Sequence, residues 1–292
     1  MRAVQIDRHG GTDVLVLREV AAPEPASGEV LIRTAASSLN PVDWKTRAWQ
    51  VGPPLPATLG WDISGQVVAS NDPAHEVGAH VIAMSAQIAT GRGTWAELVA
   101  LPGHLLASAP ATVPLADAAS LPLAGTTALQ ALRATELSAG ERILVVGTAG
   151  AVGGLVVQLA RLTGAHVDAL VSRHGHEPAA VELGAERAWH RPQDLPRGRY
   201  AAVLDTVGAD VAAALVPGGR FVSIADHPLP DVPGARKSYV QENATDLAHL
   251  AELVDSDELR LRIADRFSLD DIRTAHERFE AGGLLGKVVI TF

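Results

Sequence analysis

The segment RILVVGTAGAVGG (142–154) places Gly147, Gly150, Gly153 and Gly154 between a run of strand-forming residues and the start of a helical pattern. A strand that bends sharply into a helix aims the first free N–H groups of that helix at one point, which suits the pyrophosphate of a dinucleotide. In this reading the turn runs through Gly147, Ala149, Gly150, Ala151, Val152 and Gly153. Gly150 permits close backbone approach, and Gly153 lets helix and strand pack tightly. Thr148 stands where the first glycine of G-x-G-x-x-G usually falls, so the spacing is G-x-x-G-x-x-G. The next apolar strand, HVDALVS, ends in Ser172-Arg173-His174 with no acid at its tip; Asp168 lies too early, inside the strand. A hydroxyl and a guanidinium suit a 2′-phosphate, so the expected cofactor is NADPH rather than NADH. His174, His190 and His227 have no metal-ligand spacing and read as incidental.

These residues need elements to hold them. Residues 1 to about 110 read as short strands (AVQID, VLVLREV, EVLIRTAAS, ISGQVVAS, AHVIAM, WAELVAL) separated by Gly, Pro, Asp and Asn turns, as in a compact, largely antiparallel β domain. LNPVDWKTRAW is the exception: Asn40 can cap a helix, Pro41 suits its first position, and Asp43 sits in the first turn. From about 115 to 255, helical patterns alternate with the apolar strands RILVVG, HVDALVS, AAVLDTV and GRFVSIA, which predicts a parallel sheet covered on both faces. The last region holds a helix opened by the Ser268–Asp271 capping pattern and a final strand, GKVVITF, expected to return to the first domain. DHPLPDVPG (226–234) has too many prolines for regular structure and reads as a loop rimming a site.

Bulk properties narrow the function classes. A formal net charge of -9 argues against nucleic acid or an anionic membrane as a main partner. The absence of cysteine rules out disulfides, thiolate catalysis and cysteine-ligated metal sites, and fits a reducing, cytoplasmic setting. MRAVQIDRHGG has no apolar core of the signal-peptide type, and no stretch reaches the length of a membrane span.

Read together, LNPVDWKTR, LGWDISGQVV, GTWAELVALP, LPLAGTTALQAL, VVGTAGAVGGLVVQLARLTGA, AAVLDTVG, LVPGGRFVSIA and AHERFEAGGLLGKVVI resemble the zinc-independent medium-chain dehydrogenase/reductases, in their NADPH:quinone oxidoreductase-like branch. The resemblance covers essentially the whole chain. It implies an α/β protein: a GroES-like β domain formed by both chain ends (1–112 and 257–292), and an inserted Rossmann domain (113–256) that binds NADPH. It also implies a cleft at their junction.

Carried over residue by residue, Asn40, Asp43 and Lys45 would face nicotinamide and substrate. Thr127 would lie near the nicotinamide ribose, and Arg191 near the 2′-phosphate. Thr206-Val207 and Ser223-Ile224 would end strands at the cofactor edge, and Lys287 would return to the cleft from the C-terminal end. Asn40 and Asp43 also read simply as helix caps, Lys45 as solvated, and Lys287 as cover for the last strand. Asn40 and Gly60-Trp61-Asp62 stand where zinc enzymes of the superfamily place catalytic ligands, which implies reduction without a metal.

The WQVGPP stretch lacks the tyrosine that many quinone reductases carry there, so no proton donor is named. The implied activity is hydride transfer to a quinone or α,β-unsaturated carbonyl. A tailoring enoyl reductase with a polyketide-type substrate and a non-catalytic NADPH-binding protein remain open beside it, and a zinc alcohol dehydrogenase is disfavoured. Relatives commonly form homodimers through the Rossmann sheet edge, expected here at GGRFVSIA.

Overall fold

The computed structural model describes residues 1–50, 52–86 and 90–292; Val51, inside the WQVGPP stretch, lies outside the described residues. The N-terminal part comprises β1 (Arg2–Ile6), β2 (Val16–Glu19), β3 (Glu29–Ser38), α1 (Pro41–Ala48), β4 (Ala57–Thr58), β5 (Asp62–Ser70), β6 (His80–Met84), β7 (Leu98–Pro102) and β8 (Leu106–Ser108). The middle holds α2 (Leu115–Ala118), α3 (Pro122–Ala134), β9 (Arg142–Val146), α4 (Ala151–Leu162), β10 (His166–Leu170), α5 (Glu177–Glu182) and β11 (Arg187–Trp189). It continues with β12 (Tyr200–Asp205), β13 (Leu215–Ser223), β14 (Arg236–Lys237) and α6 (Ala244–Asp255). The chain ends with β15 (Ile263–Ser268), α7 (Ile272–Glu280) and β16 (Lys287–Thr291).

Both chain ends build the GroES-like part. Strand β16 pairs antiparallel with β3, extending a sheet in the order β15-β16-β3-β5-β6-β8. On β3, Val30 and Ile32 are buried while Arg33 is exposed, the alternation of a strand with one face on a core. Ile63, Val67, Val81 and Val99 pack against them. Strand β15 was not expected from sequence. Its alternation is blurred by Asp265 and Arg266, and it forms because β16 offers a parallel edge.

The inserted part is a parallel sheet in the order β11-β10-β9-β12-β13-β14, a doubly wound Rossmann arrangement. Ile143 to Val146 of β9 are buried, as a central strand covered on both faces requires. The helical stretch anticipated over 115–135 divides into α2 and α3. Pro122 cannot continue a helix from its N-terminal side, and it opens α3 instead. The sheet edge expected at GGRFVSIA is displaced, because β14 pairs with Val222 and Ser223 outside β13.

The two places where the chain passes between these parts lie side by side: Thr112 donates from its backbone N (2.9 Å) and its hydroxyl (2.8 Å) to Asp255 Oδ1. Residues 226–234 form no regular element. Among the described residues, no helix is long and apolar enough to cross a membrane.

Candidate active site

The parallel sheet reverses its strand order between β9 and β12, so the loops that follow these strands part and leave a crevice. A cleft of about 300 Å³ occupies this place. One wall is the turn after β9 and the start of α4; the other comes from the GroES-like part through Asn40, Pro41 and the segment 283–287.

The turn is built by backbone demands. Gly147 has φ +85°, a conformation that side chains with a Cβ rarely adopt. A Cβ on Gly153 would lie 2.4 Å from the Gly147 carbonyl oxygen, so helix and strand can approach this closely only without one. Gly150, the N-cap of α4, carries no side-chain cap, which leaves the first amides of the helix free for a ligand. Thr148 Oγ1 beside them is buried without a partner. These features fit the pyrophosphate of a dinucleotide.

On the reverse side, Arg262 Nη2 donates to the carbonyls of Thr148 (3.0 Å), Ala149 (3.2 Å) and Gly150 (3.2 Å). A guanidinium holding three carbonyls fixes the turn so that its amides remain available on the other face. Nothing in the sequence pointed to Arg262. The available signal was Gly154, a glycine the pyrophosphate reading did not need: a Cβ there would lie 2.2 Å from Arg262 Nη2. Beyond Arg262, Gly286 forms a β-bridge with Gly150, joining the turn to the segment that leads into β16.

A buried polar cluster forms the base of the GroES-like wall. Asp62 Oδ2 accepts from Asn40 Nδ2 (2.7 Å), Lys287 Nζ (3.0 Å) and the Ser38 hydroxyl, and Asp62 Oδ1 accepts from the Leu123 amide (2.6 Å). Lys287 Nζ also donates to Asn40 Oδ1 (2.5 Å) and the Leu39 carbonyl (3.2 Å). The Asn40 side chain therefore turns inward to this cluster. Asp43 Oδ2 accepts from the Asn40 backbone N–H (2.7 Å). Its Oδ1 is buried without a partner, and burial pushes its pKa up to about 8, with the nearby Asp62 charge adding to the rise.

Of the residues singled out from sequence, Asn40, Gly147, Ala149, Gly150, Ala151, Val152, Gly153, Ser172, Thr206, Val207, Ile224 and Lys287 line one cleft. Others stand apart from its lining. Asp43 is fully buried on α1. Lys45 Nζ pairs with Asp226, linking α1 to the proline-rich loop, and stands 5.9 Å from the ring centres of both Trp44 and Trp49. Thr127 lies one turn along α3 from Ala124, which takes the lining position instead. Arg191 is held by Asp194 (2.7 Å). Ser223 is buried and donates to Asp205 Oδ2 (3.1 Å), so it shapes the strand end from beneath.

Arg173 reaches toward the turn of the opposite part: a Cβ on Gly283 would lie 2.3 Å from its Nη1. His176, Phe279 and Leu284 line the cleft without having been anticipated. Asp168, deep in β10, is bound by Arg142 (2.8 Å) and the Tyr200 hydroxyl (2.9 Å), a structural role away from the strand tip.

Two family models match the chain: an alcohol dehydrogenase GroES-like domain over residues 26–111, and a zinc-binding dehydrogenase over residues 180–290. The 2-methylene-furan-3-one reductase of Solanum lycopersicum is 34% identical, across 99% of this chain and 79% of its own length. The NADPH-dependent alkenal/one oxidoreductase of Arabidopsis thaliana, a chloroplastic protein, is 33% identical over the same shares. The structure of the quinone oxidoreductase from Coxiella burnetii superposes with a TM-score of 0.87 at 30% identity, covering 100% of this chain and 99% of that one.

The chain belongs to the medium-chain dehydrogenase/reductase superfamily.

Its relatives among the quinone and alkenal oxidoreductases place it in the quinone-oxidoreductase-like branch of that superfamily. The zinc named in one family model can be tested against the donors present. The ligand positions of this superfamily's metal enzymes hold Asn40, Trp61 and Asp62, which supply an amide, an indole and one carboxylate. Zinc is held by thiolate, imidazole and carboxylate groups. Here Lys287 Nζ already lies within 3.0 Å of the Asp62 carboxylate and 2.5 Å of Asn40 Oδ1, so a cation stands beside the only anionic donor. This donor set does not fit a zinc ion.

Proposed function

We propose that the protein reduces a quinone, or the activated double bond of an α,β-unsaturated carbonyl, at the expense of NADPH held in the cleft. One observation carries the reading: a dinucleotide turn lines a single cleft at the strand-order reversal together with Asn40 and Lys287, which Asp62 holds from beneath. The relatives, named as NADPH-dependent and as alkenal/one or quinone oxidoreductases, support the same chemistry.

When bound, NADPH supplies the hydride. The residues of the chain do the rest. Free amides at the start of α4, from Ala151 to Gly153, hold the pyrophosphate beside Gly150, and Thr206 and Val207 border the cofactor where β12 ends. Ser172, Arg173 and His176 receive the 2′-phosphate; no carboxylate lines the cleft to compete with it. Leu39, Ala124, Ile224, Phe279 and Leu284 give the cleft an apolar surface that excludes water and keeps the two reacting carbons in register. Lys287 is already neutralised by Asp62, so Lys45, beside the proline-rich loop, and backbone N–H groups are the donors for the negative charge that develops on the acceptor oxygen. Water delivers the completing proton. A cytoplasmic homodimer, joined at the sheet edge that β14 now occupies, is part of this reading.

The test is NADPH oxidation across a panel of quinones and enones, beside binding titrations of NADPH and NADH. Turnover with at least one acceptor class is expected, with tighter binding of NADPH and loss of that preference in Arg173→Ala. Background rates throughout the panel, or an equal grip on both coenzymes, would overturn it.

A further inference from the structure

Three side chains distant in sequence meet beside the cofactor cleft. His174 follows β10, Glu177 opens α5, and His190 follows β11. His174 Nδ1 lies 3.2 Å and His190 Nδ1 2.7 Å from the same oxygen, Glu177 Oε1. The two imidazole rings are 4.9 Å apart at 59°. One donor atom from each residue falls within 4.8 Å of the others, the one such group of His and carboxylate side chains among the described residues. Sequence spacing had given no hint of this, because the meeting depends on β10 and β11 being parallel neighbours.

We propose that His174, Glu177 and His190 form a binding site for one divalent cation of the zinc class, with its remaining position open to water.

The donor chemistry is that of such an ion: two imidazoles and a carboxylate suit Zn²⁺, Co²⁺ or Ni²⁺ and suit Mg²⁺ or Ca²⁺ poorly. Ligand atoms about 2.1 Å from a common tetrahedral ion stand roughly 3.4 Å from one another; the His174–Glu177 separation of 3.2 Å is near this, and the His190–Glu177 separation of 2.7 Å would open as the ion replaces that contact. His174, the most exposed of the three, has the freedom to complete the geometry by rotation. Glu177 is prepared as a ligand. Its Oε2 accepts from the Gly175 N–H (2.6 Å), which leaves Oε1 directed at the histidines.

The site is separate from the Asn40–Asp62–Lys287 cluster, and it takes no part in hydride transfer. A bound ion would tie the loop that carries Ser172 and His176 to the end of β11. It does not rest on the reductase reading, since its test needs no turnover.

Tag-free, metal-stripped protein would be titrated with ZnCl₂ by calorimetry and with CoCl₂ by visible absorption. One ion per chain is expected, with the Co²⁺ spectrum of a low-coordinate nitrogen- and oxygen-ligated ion. His190→Ala, His174→Ala and the conservative Glu177→Gln should each weaken Zn²⁺ binding by ~10-fold or more. His227→Ala, outside the cluster, should leave it unchanged. The proposal fails if wild type shows no saturable binding of Zn²⁺ below about 1 mM. It fails equally if affinity and stoichiometry survive in the His174→Ala/His190→Ala double variant.

Discussion

Lys287 Nζ lies 3.0 Å from Asp62 Oδ2, both groups are buried, and Asn40 bonds to each of them. The pair joins the last strand to β5 at the point where the GroES-like part meets the cleft. Each charge is tolerable there only because the other is present. Lys287→Met should therefore cost ~3–5 kcal/mol, since it leaves the Asp62 carboxylate uncompensated. The Asp62→Asn/Lys287→Met double variant should recover much of that loss. Urea unfolding of the single and double variants measures both.

The dinucleotide turn offers a graded test of backbone approach. A Cβ on Gly153 would press on a backbone oxygen at 2.4 Å, whereas one on Gly150 would meet the same oxygen at 3.4 Å. Gly153→Ala should weaken NADPH binding ~10-fold or more, while Gly150→Ala should disturb the turn less through this contact. Fluorescence titration with NADPH compares the two, at a cost of about 1.4 kcal/mol per tenfold.

Arg262 holds the dinucleotide turn by three carbonyls, so its effect on a bound cofactor is expected to come through that turn. Removing its bonds to three carbonyls forfeits charge-assisted hydrogen bonds worth ~1.5–3 kcal/mol. Arg262→Met should accordingly raise KM for NADPH by ~10-fold or more and leave kcat with saturating NADPH nearly unchanged. Arg262→Lys, which keeps the charge but loses the fork, should fall between. Steady-state kinetics would separate this from general destabilisation, which lowers the amount of active enzyme and leaves KM alone.

Asp43 gives the fold a pH dependence of defined sign. Its native pKa, about 8, stands above the ordinary value of 3.8 that the unfolded chain regains. Between these values the native state holds a proton that the unfolded state has released, so its contribution to stability falls as pH rises through that window. Asp43→Asn, neutral at every pH, should flatten this slope between pH 5 and 9. At the alkaline end it should gain on the order of 1–2 kcal/mol over wild type. Denaturant midpoints across that range give the comparison.

The parts of the site that follow from backbone geometry were readable in the sequence. Gly147 and Gly153 had to be glycines for the turn to exist, and the alternation of apolar strands with helices announced the parallel sheet. Contacts between distant segments were not readable. Lys287 was expected to reach the cleft, but its pairing with Asp62 joins residues far apart in sequence through the β16–β3–β5 neighbourhood. Arg262 was invisible for the same reason, and so was the meeting of His174 with His190. Arg191 and Thr127 were reached the opposite way. Each was placed by position in a pattern, yet a local partner, Asp194, engages one, and one helical turn sets the other off the cleft lining. Strand β15 was missed because its charged residues hid an edge that exists only once β16 is in place.

The bridge between Gly150 and Gly286 ties the dinucleotide turn to the start of the strand bearing Lys287 through main-chain hydrogen bonding. The distance between these two segments is thereby set by main-chain hydrogen bonding, with Arg262 holding the turn from its other side. Latitude in which acceptor is admitted falls instead to α1 and the proline-rich loop, which meet through one partly exposed ion pair, Lys45 with Asp226. Attempts to redirect this protein toward new acceptors have their natural starting point at that contact.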